Sequence, residues 1–336
     1  MPNLRRTQAT IALALLLAAG FSACGESDAK RSVDARTEAL SFFAKDAPVV
    51  ALLRPRPRAD VAELERAAAG LPAWEGLREL VLGPLHDAGL SRARLLRLTR
   101  PNEEIEGVYP AALTVGAATP EDLAGGFPLL VLATDQADLL STYMRRTAAA
   151  GALQRRGNLD DALLYEGRKA SFAIRDGVLV SAPSLGLVRS AIARRDGDSD
   201  DRLDDAAVES LFEGLDQTGP LLVYADLGYV READPGLEQL ANQAPWTGKL
   251  GETAASVRAE DGAVQIEAFS KSTGDLTSDE LPLGTKPSPF EITAESAAVL
   301  IQPGLARDLL AGLAPIAGEA TASSDEVRLH VTVGGK

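Results

Sequence analysis

The chain has 336 residues, of which 46% are hydrophobic and 24% are charged, so it holds enough apolar material for one or two domains with real cores. Its formal net charge of −14 argues against a nucleic-acid partner and against adhesion to anionic lipid by charge alone. It has one cysteine, which excludes an intramolecular disulfide.

The amino terminus has the pattern of an export signal. Arg5 and Arg6 form a positive region, and residues 11–20 form an apolar stretch that is too short to span a bilayer. The two arginines also leave export by a twin-arginine route open, although the residues after them do not fit that signal well. We predict a signal peptide over residues 1–23.

The signal runs into Phe21, Ser22, Ala23 and Cys24. This run resembles the lipobox of bacterial lipoproteins, which is a bulky apolar residue, two small residues and a cysteine. The resemblance implies cleavage before Cys24, a diacylglycerol thioether on its sulfur and a fatty acyl (palmitate-type) anchor in the cell membrane, with the body on the extracytoplasmic side. The alternatives are an ordinary signal peptide with a chance cysteine, or a signal anchor.

After the anchor, the sequence predicts a polar tether over residues 24–46, which ends in a short helix through Leu40, Phe42 and Phe43. We then expect a body over 47–272, a Pro-rich linker over 273–289 and a small C-terminal unit over 290–336. The body should contain two or more related β-α-β-β units.

Short apolar runs that lead into helices indicate these units. The predicted leading strands cover residues 49–53, 129–133, 221–225 and 298–301. Helices should follow at 61–71, 139–144, around 237–240 and at 305–313, and Asp135 is the expected cap of the second.

Three turns between alternating apolar and polar runs predict β-hairpins. Asp176–Gly177 and Asp261–Gly262 are two-residue turns in which both residues accept positive φ, and a third turn lies at residues 323–326. Strands with one polar face are typical of antiparallel sheets. We therefore predict an α+β fold, with antiparallel sheets built from repeated β-α-β-hairpin units and helices packed on one face.

Several of these elements together resemble the core of the bacterial family called domain of unknown function 3352. They are the segments 163–165, 170–173, 176–181, 185–193, 222–226 and 251–269. The resemblance covers residues 47–270 and rests on patterns of strands and turns. It implies an exported or membrane-anchored envelope protein with no established activity, and it supplies no functional residues.

One segment has the position of a hydrolase nucleophile. Ser184 lies between a predicted strand and a predicted helix, and Asp226 and His330 follow in the chain order of an α/β-hydrolase triad. However, Ala182 replaces the first glycine of the nucleophile turn, and His330 lies in an alternating strand. The competing interpretation is that Ser184 caps the helix that follows it.

An acidic loop has part of the spacing of a calcium site. Asp196, Asp198, Asp200 and Asp204 fall at positions one, three, five and nine of such a loop. The glycine expected at position six and the glutamate expected at position twelve are missing. The alternative is a solvated loop in which Asp204 or Asp205 caps the next helix.

The sequence therefore predicts no catalytic residues, no cofactor and no metal beyond that weak calcium candidate. Two histidines and one cysteine are too few for a zinc site. We expect a non-catalytic, membrane-anchored envelope lipoprotein that binds an envelope protein or scaffolds an assembly. One alternative is a binding protein for a small or lipidic envelope ligand, and a remote one is a serine hydrolase that uses Ser184.

Overall fold

The computed structural model describes residues 29–53, 63–64, 66–68, 110–217, 219–233, 248–274, 288–292, 316–322 and 326–334. These residues fall into two units. The first unit comprises residues 29–53 and 110–210, and the second comprises 63–68 and 211–334. Each consists of antiparallel strands with helices packed against them, which confirms the predicted α+β class.

The described part of the first unit has seven strands. They are β1 (Val49–Leu53), β2 (Ala112–Ala117), β3 (Leu129–Ala133), β4 (Gln154–Leu159), β5 (Ala162–Glu166), β6 (Ser171–Arg175) and β7 (Val178–Ala182). Their order across the sheet is β1-β2-β3-β7-β6-β5-β4, and every neighbouring pair is antiparallel. Strands β1 and β3 match the first two predicted leading strands, and all their residues are buried, as continuous apolar runs require.

The hairpin that joins β6 and β7 turns where the sequence predicts. Asp176 has φ 46° and Gly177 has φ 83°, the left-handed conformations of a two-residue turn that matches strand twist. Gly177 also lies so close to the Thr134 carbonyl that a Cβ atom there would collide with it. Both the backbone conformation and the space therefore require glycine.

Five helices follow in the same part of the chain. They are α1 (Ala29–Leu40), α2 (Pro120–Gly125), α3 (Ala137–Ala149), α4 (Leu185–Asp196) and α5 (Asp205–Leu211). Helix α1 packs on β2 and β3, α2 packs on β2, and α4 packs on β5, β6 and β7. The sheet is thus covered by helices that reach it from three separate parts of the chain.

The expected cap of α3 is wrong by one residue. Gln136 occupies the N-cap position, not Asp135, and the Gln136 side chain makes no capping hydrogen bond. The Gln136 N–H donates to Thr134 Oγ1 at 3.1 Å, which forms a local turn between β3 and the helix. This turn moves the start of the helix one residue past the aspartate.

The second unit has its own antiparallel arrangement. Its described strands are β8 (Leu221–Asp226), β9 (Leu250–Glu260), β10 (Ala263–Ser272), β11 (Ser288–Ile292), β12 (Ile316–Ala322) and β13 (Glu326–Gly334), with helix α6 (Leu227–Ala233) against β8 and β9. Their order is β8-β9-β10-β13-β12-β11. Strand β8 matches the third predicted leading strand, and Asp261 and Gly262 turn β9 into β10 with φ 52° and 76°.

Strand β13 pairs with β10 along its length, from Ala263 opposite Gly334 to Lys271 opposite Glu326. Strands on either side of the predicted linker therefore share a sheet, and β11 begins inside the last residues of that linker. The fourth predicted leading strand, its helix and the predicted helix near residues 237–240 lie outside the described residues. The domain boundaries as a whole stay a prediction.

The predicted tether does not extend to residue 46. Its residues from Ala29 form α1, and residues 39–44 are all buried in the first unit. The predicted end of the tether instead belongs to the core of that unit, because Leu40, Phe42 and Phe43 are all buried there. Burial of large apolar side chains is favourable wherever they lie in the chain.

Strand β4 lies at the edge of its sheet and is polar and almost entirely exposed. Its pairing with β5 shifts between Arg155 and Gly157, so that Arg156 is the extra residue of a β-bulge and Gly157 has φ 101°. Arg156 pairs with Glu166 at 2.5 Å. Among the described strands, none pairs with the other side of β4.

Candidate functional site

The four lipobox residues, Phe21, Ser22, Ala23 and Cys24, lie outside the described residues, so lipid attachment at Cys24 stays a prediction. The described chain begins at Ala29, only five residues after that cysteine. None of the helices in the described part of the chain combines the length and the apolar character that crossing a bilayer requires. The element next to the candidate anchor is therefore α1, and its contacts decide how the anchor would be joined to the body.

The C-terminal end of α1 is fixed by apolar burial. Leu40 and Phe43 are 1% and 0% exposed, and Ala39 is also fully buried. Backbone hydrogen bonds hold the residues that follow the helix: Ala44 N–H donates to Ala118 O at 3.1 Å, and Leu203 N–H donates to Phe43 O at 3.0 Å. Residues 39–44 are thus held by the residue that follows β2 and by the loop after α4.

Two arginines of the last turn of α4 hold the same segment. The Arg194 guanidinium donates to the Phe42 carbonyl at 2.6 Å, and Arg195 pairs with the Glu38 carboxylate at 2.9 Å. Arg202 in turn donates to the carbonyl of Arg195. The end of α4 is therefore tied both to α1 and to its own following loop.

The arginine pairs extend into a charged network across the first unit. The Asp196 carboxylate accepts from Arg195 at 2.8 Å and from Arg175 at 2.6 Å, and Arg175 also pairs with Asp161 at 2.8 Å. The Arg175 Nε atom is buried and its geometry to Asp161 is that of an ion pair rather than of a hydrogen bond. The chain of contacts joins α1, α4, the end of β6 and the turn between β4 and β5.

The network also changes the protonation behaviour of its members. Burial acts to raise the pKa of Asp196, but the hydrogen bonds from Arg195 and Arg175 outweigh it and hold that pKa below the ordinary value. Burial acts to lower the pKa of Arg195, and the bonds to Asp196 and Glu38 outweigh it and raise that pKa. Both groups are therefore held in their charged forms.

The apolar contacts carry more of the stability than the charges do. The side chains of the Glu38–Arg195 pair are 34% and 25% exposed, and partly exposed pairs of this kind are worth about 0–1 kcal/mol each. Full burial of one Phe or Leu side chain contributes about 1.5–3 kcal/mol. Burial of Leu40 and Phe43 thus contributes more to holding the end of α1 in place than the Glu38–Arg195 ion pair does.

A shallow depression lies beside α2 and α4 in the first unit. Phe127, which is 44% exposed, forms one wall, and Leu187, Asp122 and Arg194 line the rest with neighbouring residues. The depression has a cavity volume of about 10 Å³, which is room for about one water molecule, whereas typical ligand pockets hold ~300–1,000 Å³. This depression is too small for a lipid chain.

The two charged groups of the depression are both partly desolvated. Burial raises the pKa of Asp122, an effect that the hydrogen bond with Thr119 and the charge of Arg194 only partly offset. Burial also lowers the pKa of Arg194, against the charges of Asp122 and Asp46. Asp122 is part of a helix start, since its N–H donates to Thr119 Oγ1 at 3.2 Å.

The predicted hydrolase residues all have local structural contacts. Ser184 is the N-cap of α4, and its Oγ accepts from the Leu187 N–H at 3.3 Å, which confirms the capping interpretation. Asp226 Oδ1 accepts from the Gly228 N–H at 2.8 Å at the start of α6. His330 lies in β13, opposite Glu267 of β10.

Three of the four candidate calcium carboxylates make separate structural contacts. Asp196 belongs to the arginine network, Asp198 accepts from the Asp200 N–H at 3.1 Å, and Asp204 accepts from the Ala207 N–H at 2.7 Å near the start of α5. Within the described ranges, no group of three or more His, Cys, Asp or Glu side chains is placed to hold a metal ion. The four aspartates therefore do not form one cluster, and the capping role of Asp204 is confirmed.

The roles of Arg194 and Arg195 do not follow from the sequence pattern. Both lie in the last turn of α4, where cations are expected because they interact favourably with the helix C-terminus. That signal identifies the helix end but not the partners, since Glu38 and Phe42 lie more than 150 residues away in the chain.

Comparison with known proteins gives a distant structural similarity. No family model matches the sequence, and no curated protein does, so the resemblance to domain of unknown function 3352 stays a prediction. Among solved structures, the chain is distantly similar to TP0453.

The alignments with TP0453 cover most of both proteins. Crystal forms III and I each align with a TM-score of 0.45 and 10% identity over 88% of this chain, and over 94% and 93% of TP0453. Crystal form IV aligns with a TM-score of 0.41 over 71% of this chain and 82% of TP0453. The similarity is distant.

Proposed function

We propose that the protein is a non-catalytic lipoprotein of the cell envelope, held on the extracytoplasmic side of a membrane by acyl chains on Cys24, where it binds an envelope partner or scaffolds an assembly. The observation that carries the proposal is the export signal that runs directly into Phe21, Ser22, Ala23 and Cys24. Two or more acyl chains give the firm anchoring that a single chain does not.

The charge of the mature chain supports a covalent anchor. Cleavage before Cys24 removes Arg5 and Arg6 and no acidic residue, which takes the formal net charge from −14 to −16. A body this acidic is not attracted to anionic headgroups. Stable residence at a membrane surface would therefore depend on the acyl chains.

The uses of polar side chains in the described residues support a non-catalytic role. Ser184 and Asp204 cap helices, and Asp196 is neutralised by two arginines. Groups held in this way are structural. A binding or scaffolding role needs a stable folded surface, and the sheet-and-helix units support that role.

Mass spectrometry of the protein purified from its own membranes tests the anchor. The mature chain should begin at Cys24 and carry a diacylglycerol mass on the sulfur, and Cys24→Ala should move from the membrane fraction to the soluble extracytoplasmic fraction. Ala23→Gly, which keeps a small residue before the cysteine, is the matched control and should remain in the membrane. An unmodified thiol at Cys24, or Cys24→Ala in the same membrane pool as the parent, would refute the proposal.

Crosslinking in intact cells tests the binding role. A photoreactive residue placed at the exposed Phe127 should capture the same neighbour repeatedly in the anchored protein. The Cys24→Ala variant with the same residue is the control, because its body is unchanged but released from the membrane. No specific adduct from Phe127 or from other exposed positions would count against a scaffolding role.

A further inference from the structure

One end of the sheet in the first unit is formed by the start of β4 and by the turn between β5 and β6. Strand pairing aligns residues of four strands in a row at this end: Gln154, Glu166, Ser171 and Ala182. Strand β3 begins at the same end, because Leu130 pairs with Ser181. The Asp176–Gly177 turn lies at the other end, since it joins the last residue of β6 to the first residue of β7.

Exposed cations surround this row. Two lie near the start of β4, two lie between β5 and β6, and two lie near the end of α3, which only four residues separate from Gln154. We call the six together the basic end: Arg145, Arg146, Arg155, Arg156, Arg168 and Lys169. Among the described residues 141–159 and 166–170, Glu166 carries the single carboxylate, and it pairs with Arg156 at 2.5 Å. The basic end is therefore locally positive although the whole chain is acidic.

Local structure accounts for only part of this cluster. Arg146 lies in the last turn of α3, where a cation interacts favourably with the helix C-terminus. Arg155 donates to Asn158 Oδ1 at 3.0 Å within the exposed strand β4. Neither reason applies to Arg168, which is exposed between β5 and β6. Helix ends and strand contacts thus do not explain why cations from three parts of the chain meet at one end of the sheet.

Several acidic residues lie at the other end of the sheet. Asp160 and Asp161 turn β4 into β5 there, and Asp176 turns β6 into β7. Strand β4 has 6 residues, and a strand rises about 3.3 Å per residue, so the two ends lie about 20 Å apart. At physiological ionic strength the screening length is about 8 Å. A charged surface that touches the basic end is therefore screened from these carboxylates.

An exposed aromatic ring lies at the same end of the sheet as the cations. Phe127 is 44% exposed, stands two residues before β3 and lines the shallow depression together with Ala182. Neighbouring strands lie about 4.8 Å apart, so the four spacings from β3 to β4 put the ring and the arginines about 19 Å from each other along one edge. Two carboxylates, those of Glu121 and Asp122, lie on the ring's side of this edge, and Asp122 interacts with Arg194. A flat surface along the edge meets the ring and the cations together.

We infer that the basic end binds the anionic headgroups of a phospholipid bilayer, and that it faces the membrane once the protein is anchored. The inference rests on the proposed function, because the net charge of −14 opposes adsorption from solution and makes an anchor necessary. Each Lys or Arg near an anionic surface strengthens the contact about fivefold. Arginine forks bind phosphate oxygens in pairs, and an exposed Phe ring enters the boundary between headgroups and acyl chains. The competing partner is an acidic protein surface, and the anchor favours lipid because it keeps headgroups beside the unit at all times.

Vesicles with a chemically supplied anchor test this orientation. The mature chain is coupled through Cys24, its single cysteine, to a maleimide lipid, and a fluorescent coumarin amino acid replaces either Ala149 or Asp138. Both positions are exposed, and they lie at opposite ends of α3, about 17 Å apart. On phosphatidylcholine vesicles with a minor fraction of phosphatidylglycerol, a nitroxide on the headgroups should quench the probe at position 149 more strongly than the probe at position 138. The difference should vanish on pure phosphatidylcholine.

Charge reversal tests whether the cations set the orientation. Arg146→Glu, Arg155→Glu and Arg168→Glu combined should abolish the difference between the two probes. Lysine at the same three positions is the matched control, because it keeps the charge and should retain the difference. Thermal unfolding of both triple variants shows whether they fold like the parent. A salt titration of the parent is a second measurement that needs no variant, and the difference should disappear near ~1 M salt, where the screening length is about 3 Å.

Three results would overturn the inference. The first is equal quenching of the two probes in the parent on vesicles with phosphatidylglycerol. The second is a difference that persists in the folded glutamate variant or at ~1 M salt. The third is release of the basic end from these vesicles by poly-glutamate at an equal concentration of charge, which would identify an acidic protein as the partner.

Native acylation and this orientation are tested separately, because the maleimide lipid supplies the anchor whether or not the cell acylates Cys24. An unmodified Cys24 in the native protein would refute the proposed function, while the contact of the basic end with lipid would still be measured on the vesicles. Equal quenching of the probes, together with a native diacylglycerol adduct, would refute the orientation alone.

Discussion

Removing the Phe43 ring should weaken the first unit more than any change to its ion pairs. The side chain is 0% exposed, and truncation of a buried Phe to Ala costs about 3–5 kcal/mol through lost burial and the cavity that remains. The hydrogen bond from Leu203 N–H to the Phe43 carbonyl is made by the backbone and survives the change. The loss is a large fraction of the ~5–15 kcal/mol that stabilises a typical domain.

Urea unfolding of the mature chain with Cys24→Ser measures this loss in a soluble background. Phe43→Ala should lower the free energy of unfolding by about 3–5 kcal/mol. Lys45→Ala, two residues away and exposed, should stay within about 0.5 kcal/mol of the parent. A loss below about 1 kcal/mol for Phe43→Ala, with an unchanged denaturant dependence, would refute the conclusion that residues 39–44 belong to the core.

Three further changes address the helix cap, the hairpin and the arginine network. Ser184→Ala should cost about 1 kcal/mol, because its Oγ accepts a hydrogen bond at the start of α4. Gly177→Ala should cost more than the ~1–2 kcal/mol of a left-handed conformation alone, since the new Cβ would also meet the Thr134 carbonyl. Asp196 has a pKa below its ordinary 3.8, so its contribution is present above that pH and is lost as the pH falls through the lower value; Asp196→Asn should remove this part of the acid dependence.

Matched variants make each of these results decisive. Ser184→Asp keeps an acceptor oxygen and should retain most of the stability, while any serine-dependent hydrolysis would be lost in both variants. Gly262→Ala has the same backbone strain at φ 76° without a nearby atom, so it should cost less than Gly177→Ala. Stability of Asp196→Asn that falls with acid as steeply as that of the parent, measured by urea unfolding across pH 2–6, would contradict the assigned role of the network.

The correct predictions concern features that depend only on residues close together in the sequence. The turns at Asp176–Gly177 and Asp261–Gly262 are predictable because the local φ values alone select those residues. Strands β1, β3 and β8 are predictable because each is a short, continuously buried apolar run. The cap at Ser184 is predictable for the same reason, since its partner lies three residues away.

The missed features depend on distant parts of the chain. Strand β4 is polar and exposed, so it has no apolar alternation to reveal it, and it exists because β5 pairs with it. The apolar end of α1 gives no indication of whether it packs on the body or ends a tether. Arg194 and Arg195 are recognisable as helix-end cations, but their partners, Phe42 and Glu38, are set only by the tertiary fold.

The β-bulge in the edge strand β4 would affect how copies of the protein anchored in the same bilayer contact one another. An unpaired strand edge is a template for pairing with another chain, and proteins anchored in a bilayer meet each other far more often than proteins free in solution. The extra Arg156, the left-handed Gly157 and the charge of Arg155 interrupt the regular ladder that a neighbour would have to join. Under the proposed anchoring, copies of the protein can therefore crowd side by side without growing into ribbons.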